Sequence, residues 1–133
     1  MSSLVVASRS FSKHPILRKE VLNRYPDAKF NDEGLSLSGD SLADFLAGYE
    51  KAITALEKID ESILKQLPEL KIIGKYGVGL DMIDLHAMKK YDVQLGWTGG
   101  VNKRSVSELV VSSAIALLHR SVFANAEVRK GEW

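Results

Sequence analysis

The residues best suited to chemistry are Gly74-Lys75-Tyr76-Gly77-Val78-Gly79-Leu80-Asp81. Two glycines separated by one residue, with a lysine close by, suit the approach of an anion. Without Cβ atoms, Gly77 and Gly79 let backbone N–H donors come near it, and Lys75 adds positive charge. The stretch does not complete a dinucleotide fingerprint, because the third glycine of G-x-G-x-x-G would fall at Met82. On the residues alone two readings stay open, an anion-binding loop and a tight turn. A second stretch, Trp97-Thr98-Gly99-Gly100-Val101-Asn102, has two uses. It could be the other wall of a shared cleft, with Asn102 as a hydrogen-bonding side chain, or a connection into the next helix. His14, His86 and His119 lie on three separate segments with no carboxylate at ligand spacing, and read as surface or helix-end residues. With no cysteine, disulfides, thiolate zinc sites and cysteine nucleophiles are excluded.

These loops need elements to hold them. Short apolar runs at Leu4 to Ala7, Ala28 to Phe30, Ala52 to Leu56, Lys71 to Tyr76 and Val93 to Leu95 read as strands. Helices are expected between them. Pro15 to Tyr25 carries a stripe of Ile16, Leu17, Val21 and Leu22, and Pro15 suits a first turn. Asp40 or Ser41 can cap a helix bearing Leu42, Phe45 and Leu46. Asp60 can cap Glu61 to Leu67, stopped by Pro68, and Asp84 can cap Leu85 to Tyr91. Strict alternation of strand and helix predicts an α/β fold, a flavodoxin-like five-stranded parallel sheet of order 2-1-3-4-5 with flanking helices. Both glycine stretches follow strands, so both belong at the carboxyl edge, where such sheets bind ligands. The loop Asn31 to Gly39 is expected to be the most mobile segment.

From Ser105 to about Lys130 there is neither glycine nor proline, which predicts one long helix of nearly 40 Å at ~1.5 Å per residue. Ser105 and Glu108 fit a capping box. Leu109 to Leu118 is apolar nearly all round, so this helix needs covering on more than one side. The expected division is therefore 1–104 for the flavodoxin-like domain and 105–133 for a long interdomain or dimerisation helix.

Lys plus Arg number 18 against 17 Asp plus Glu, a net charge of +1, which supplies no electrostatic case for nucleic acid or an anionic membrane. The N-terminal Met1-Ser2-Ser3 lacks the basic lead of a signal peptide, and no stretch approaches the ~20 apolar residues of a membrane span. A cytoplasmic location is the expectation.

Taken in order, four segments carry a resemblance: Leu70 to Asp84, Thr98-Gly99-Gly100-Val101-Asn102 with Val106-Ser107-Glu108, Leu117-Leu118-His119-Arg120, and Arg129-Lys130-Gly131-Glu132-Trp133. Together they resemble the D-isomer-specific 2-hydroxyacid dehydrogenases, most closely the phosphoglycerate dehydrogenase branch. Residues 1 to 69 match only as a succession of strands and helices. Three residues depart from the pattern. Met82 and Trp97 stand where asparagine is usual, and Gly99 where proline is common.

The resemblance implies a substrate domain joined to a Rossmann domain that holds NAD, with a small 2-hydroxy or 2-oxo acid between them. It places Lys75 as a cation for the substrate, Gly77, Val78 and Gly79 around its carboxylate, Val78 near the nicotinamide, and Asn102 in the cleft wall. The nucleotide fingerprint and the catalytic arginine, glutamate and histidine would all lie beyond Trp133. The chain alone is then expected to be catalytically inert. A second reading is a non-catalytic interaction module that forms a homodimer through the 105–130 helix. A receiver or flavin domain fits less well. Ala55-Leu56-Glu57 offers no phosphorylatable aspartate, and Ser8-Arg9-Ser10-Phe11-Ser12 has hydroxyls but no glycine.

Overall fold

A computed structural model describes residues 3–132; Met1, Ser2 and Trp133 lie outside the described residues. The chain divides into two compact units, Met1–Gly99 and Gly100–Trp133.

The first unit is a parallel five-stranded sheet. Its strands are β1 (Leu4–Val6), β2 (Lys29–Phe30), β3 (Lys51–Thr54), β4 (Ile72–Lys75) and β5 (Gln94–Gly96). They run in the order β2-β1-β3-β4-β5, as the alternation of elements predicts. The register sets Val6 beside Ile53 and Thr54 beside Lys75, so the ends of β1, β3 and β4 come out at one edge. The helices are α1 (Arg9–Lys13), α2 (Pro15–Arg24), α3 (Gly39–Leu46), α4 (Glu61–Leu64) and α5 (Leu85–Lys90).

Burial explains the order. Parallel strands are covered on both faces and therefore read as continuous apolar runs. The larger core joins Val5, Ala52 and Ile73 from the sheet to Leu42, Leu46, Ile63, Leu64 and Met88 from the helices. A smaller core joins Val6, Phe11 and Phe30, with Leu17, Val21 and Leu22 of α2 packed against it. Ile16, expected on the same stripe, is instead 65% exposed.

Local hydrogen bonds fix where helices start. Asp60 accepts from the N–H groups of Ser62 and Ile63, and Asp84 from that of Ala87, as expected of N-caps. The start of α3 differs from expectation. Ser38 is the N-cap, and the Ser41 hydroxyl accepts from the Ser38 N–H at 3.1 Å. His14 caps α2 by accepting from the Leu17 N–H at 3.4 Å. The loop after β2 is tied at its start by hydrogen bonds. The buried Asn31 amide donates to the carbonyls of Ala7 and Leu35 and accepts from the Leu35 N–H, and Leu37 is buried.

The second unit is helical, but in two pieces where one long helix was expected. They are α6 (Lys103–Leu118) and α7 (Ser121–Arg129), bent by 60°. The break lies at Arg120, whose φ of 50° is left-handed and incompatible with continuing an α-helix. At ~1.5 Å per residue α6 spans only about 24 Å. Its N-cap is Asn102, not Ser105, and Glu108 pairs with Arg104 at 2.8 Å rather than closing a capping box. Neither helix has a buried residue. Among the described residues no single helix is long and apolar enough to cross a membrane.

Candidate functional site

The loop after β4 leaves the carboxyl edge of the sheet and runs to Asp84 before α5 begins. It is tied at both ends. The Tyr76 N–H donates to the Thr54 carbonyl at 2.7 Å, extending the β3–β4 pairing by one bond. Further on, the Ile59 N–H donates to the Met82 carbonyl and the Asp84 N–H to the Ile59 carbonyl, both at 2.8 Å. The stretch between these anchors is therefore held in place without internal ladder bonds.

Gly77 has a φ of 126°, a conformation that residues with a Cβ rarely adopt, so a glycine is required there. Among the described residues, none of the N–H groups of Gly77, Val78 and Gly79 has a protein acceptor. Backbone donors are nearly always satisfied, so three successive free ones on an exposed loop form a ready acceptor site for an anion. The Trp97 indole N–H donates to the Val78 carbonyl at 3.2 Å. A peptide group is planar and trans, so holding that oxygen also fixes the direction of the Gly79 N–H.

Lys75 stands beside this loop. Its ammonium donates to the Ala55 carbonyl at 2.5 Å and lies 3.4 Å from where a Cβ on Gly77 would be. The Ala55 backbone is held at its nitrogen as well, since its N–H donates to the buried Glu57 carboxylate at 2.6 Å. The Tyr76 ring meets Phe11 of α1 edge to face, with centroids 5.2 Å apart. Thr54, opposite Lys75 in the sheet, carries the one buried side-chain oxygen without a partner among the described residues.

The expected site residues thus fall into two groups. Lys75, Gly77, Val78 and Gly79 come together on one loop of the first unit. Asn102 belongs to the second unit, at the N-cap of α6, where its side chain makes no cap bond. No group of three or more His, Asp or Glu side chains among the described residues could hold a metal. The loop does not fit a dinucleotide either. Met82 takes the place of a third glycine, and five residues separate Gly79 from the start of α5, so that helix does not open directly from the glycines.

The sequence profile of the D-isomer specific 2-hydroxyacid dehydrogenase catalytic domain matches residues 4–130. The chain belongs to that family. A glyoxylate reductase of Thermococcus litoralis is 38% identical over 77 residues, covering 58% of this chain and 23% of the reductase. An (S)-sulfolactate dehydrogenase of Chromohalobacter salexigens is 33% identical over 76 residues, 57% of this chain and 25% of that protein. Among solved structures, the NAD+-bound 3-phosphoglycerate dehydrogenase of Entamoeba histolytica superposes with a TM-score of 0.70 at 22% identity. It covers 86% of this chain and 38% of that one, a likeness of fold. The chain therefore spans well under half the length of the relatives it matches.

Two departures from the family pattern explain each other. A Cβ on Gly99 would lie 2.6 and 2.9 Å from two carbons of the Trp97 ring, closer than atoms can approach. With the indole placed to clamp Val78, a side chain at 99 fits only if the ring moves, so glycine at 99 suits this position of Trp97. Reading the sequence alone missed this role of Trp97, since its partner lies 19 residues away; the aromatic paired with a nearby glycine was the available signal. Glu57 and α1 were missed too. Neither stands in a motif.

Proposed function

We propose that this chain is the substrate-binding domain of an NAD-dependent oxidoreductase acting on D-2-hydroxy acids and their 2-oxo counterparts. The observation that carries the reading is the row of unpartnered N–H groups at Gly77, Val78 and Gly79 beside the Lys75 ammonium. The substrate carboxylate would accept from the Val78 and Gly79 N–H groups. Lys75 would add charge. Val78 would meet the nicotinamide, while the rest of the NAD would be held by a second domain.

Hydride transfer needs a bound nicotinamide and a positioned proton acceptor. Nothing in the loop supplies either, so the isolated chain should leave NADH unoxidised with any 2-oxo acid. Turnover by the pure chain would overturn this. The mass of the native protein in an extract of its source, read with an antibody to this chain, tests the wider reading. A protein more than twice this size that reduces 2-oxo acids with NADH supports it. A native protein of this size favours the second reading, a non-catalytic module derived from the family.

That second reading has an observation of its own. Leu109, Ile115, Leu117, Leu118 and Phe123 on α6 and α7 are all more than half exposed. Exposed apolar runs of this kind mark association surfaces. We propose a homodimer through these helices, which Leu117→Glu should dissociate in sedimentation velocity.

A further inference from the structure

A concavity lies at the same edge of the sheet, between the segments that leave β1 and β3. It has a volume of about 320 Å³, and its lining includes Ser8, Arg9, Ser10, Lys13, Ala55 and Glu57. Arg9 and Lys13 stand here without an acidic partner or a hydrogen bond to any other described residue. The Glu57 carboxylate is the only acid in the lining, and one of its oxygens already accepts from the Ala55 N–H at 2.6 Å. The Ser8 and Ser10 hydroxyls lie 3.3 Å apart, and Ser8 also caps α1 by accepting from the Phe11 N–H. The cavity therefore offers two free cations and hydroxyl donors against one carboxylate that is partly satisfied.

This cavity shares a wall with the glycine loop. The Ala55 peptide lines it, and the carbonyl of that peptide accepts from Lys75. The Phe11–Tyr76 contact joins α1, which bears Arg9 and Lys13, to the residue before Gly77. Lys75 thus stands between the free N–H groups of the loop and the basic cavity.

We infer that the acid bound by this chain carries a second acidic group at its far end, a phosphate, sulfonate or carboxylate, held by Arg9 and Lys13. The inference rests on the proposed function, since it assumes that the first carboxylate sits at Val78 and Gly79. An anion between two unpaired cations gains from both, and because Arg9 and Lys13 are exposed that gain should fall as salt rises. A substrate with a single carboxylate would leave Arg9 and Lys13 unused and should bind more weakly.

The test is amide chemical-shift titration of the isotope-labelled chain at constant ionic strength, with D-lactate, 3-phospho-D-glycerate and inorganic phosphate as probes. Both hydroxy acids should move the Val78 and Gly79 amides. Phosphoglycerate should also move the amides from Ser8 to Lys13 and bind at least tenfold more tightly. The R9Q/K13Q double variant should reduce phosphoglycerate to the affinity of D-lactate and leave D-lactate unchanged. If the variant does not fold, added salt on the native chain makes the same distinction, because it should weaken phosphoglycerate far more than D-lactate. Equal affinity for the two acids, with Val78 and Gly79 moving in both, overturns the second-anion inference and leaves the proposed function standing. Failure of either acid to move Val78 and Gly79 overturns both. Phosphate alone binding as tightly as phosphoglycerate, with the loop amides still, overturns the inference in favour of an independent anion site.

Discussion

The two units of this chain solve opposite problems with similar residues. In the first, Val5, Val6, Leu42, Leu46, Ile59 and Ile73 are wholly shielded from solvent. In the second, Leu109, Val110, Val111, Leu117 and Leu118 are just as apolar, yet each is more than half exposed. Sheet strands and the helices between them bury one another, whereas two helices bent by 60° cannot cover an apolar circumference. Stability of the chain should therefore reside in the first unit, and association in the second.

The strongest way to break that contrast is Ile73→Ala. Ile73 lies at the centre of β4 with no exposure, and truncation there should cost about 2–5 kcal/mol, read as a lower urea midpoint. Against a total of about 5–15 kcal/mol that is severe. A loss below about 1 kcal/mol would show the core to be loosely packed. Next comes Gly77→Ala, which forces a Cβ onto a φ of 126° and should cost about 1–3 kcal/mol. The same variant should lose the amide shifts that D-lactate induces at Val78 and Gly79. Asp84→Ala removes the cap of α5 and should cost about 1 kcal/mol, while Asp84→Asn should cost little. In the second unit Leu117→Glu should change the unfolding free energy by less than about 0.5 kcal/mol, compared at a dilution where the native chain is also monomeric. A large loss of fold stability on that substitution would erase the contrast.

How far the sequence showed these features follows from the range of the interactions behind them. The sheet order was legible because each strand is a compact apolar run such as Ile72-Ile73, separated by a helix stripe of different period. The caps at Asp60 and Asp84 were legible because the acceptor and donor lie within three residues. The glycine loop could be placed at the carboxyl edge for the same reason, following its strand directly. α1 was not legible: Arg9-Ser10-Phe11-Ser12-Lys13 has one apolar residue, too few to show a period. The break at Arg120 has no glycine or proline to announce it. The Trp97 clamp and the cavity beside Ala55 depend on residues that are distant in sequence and meet only after the strands pair.

The smallest effect separates the units by acid. Three carboxylates of the first unit titrate below their ordinary range. Asp32 is held down by its hydrogen-bonded ion pair with Arg18, Asp60 by the Ser62 hydroxyl and then Lys58, and Glu61 by Lys90. Each lies lower when folded than in the unfolded chain, where values of ~3.9 for Asp and ~4.3 for Glu apply. The unfolded state then binds more protons in acid. The stability they contribute is full above those unfolded values and is lost as pH falls through the depressed ones. These groups are exposed, so each contributes little, and salt should reduce the effect. Urea midpoints measured from pH 7 downward should stay level to about pH 5 and then decline. Asp60→Asn keeps a capping acceptor while removing the titration, so its decline should be shallower than that of the native chain. An equally steep decline in that variant would place the acid sensitivity elsewhere.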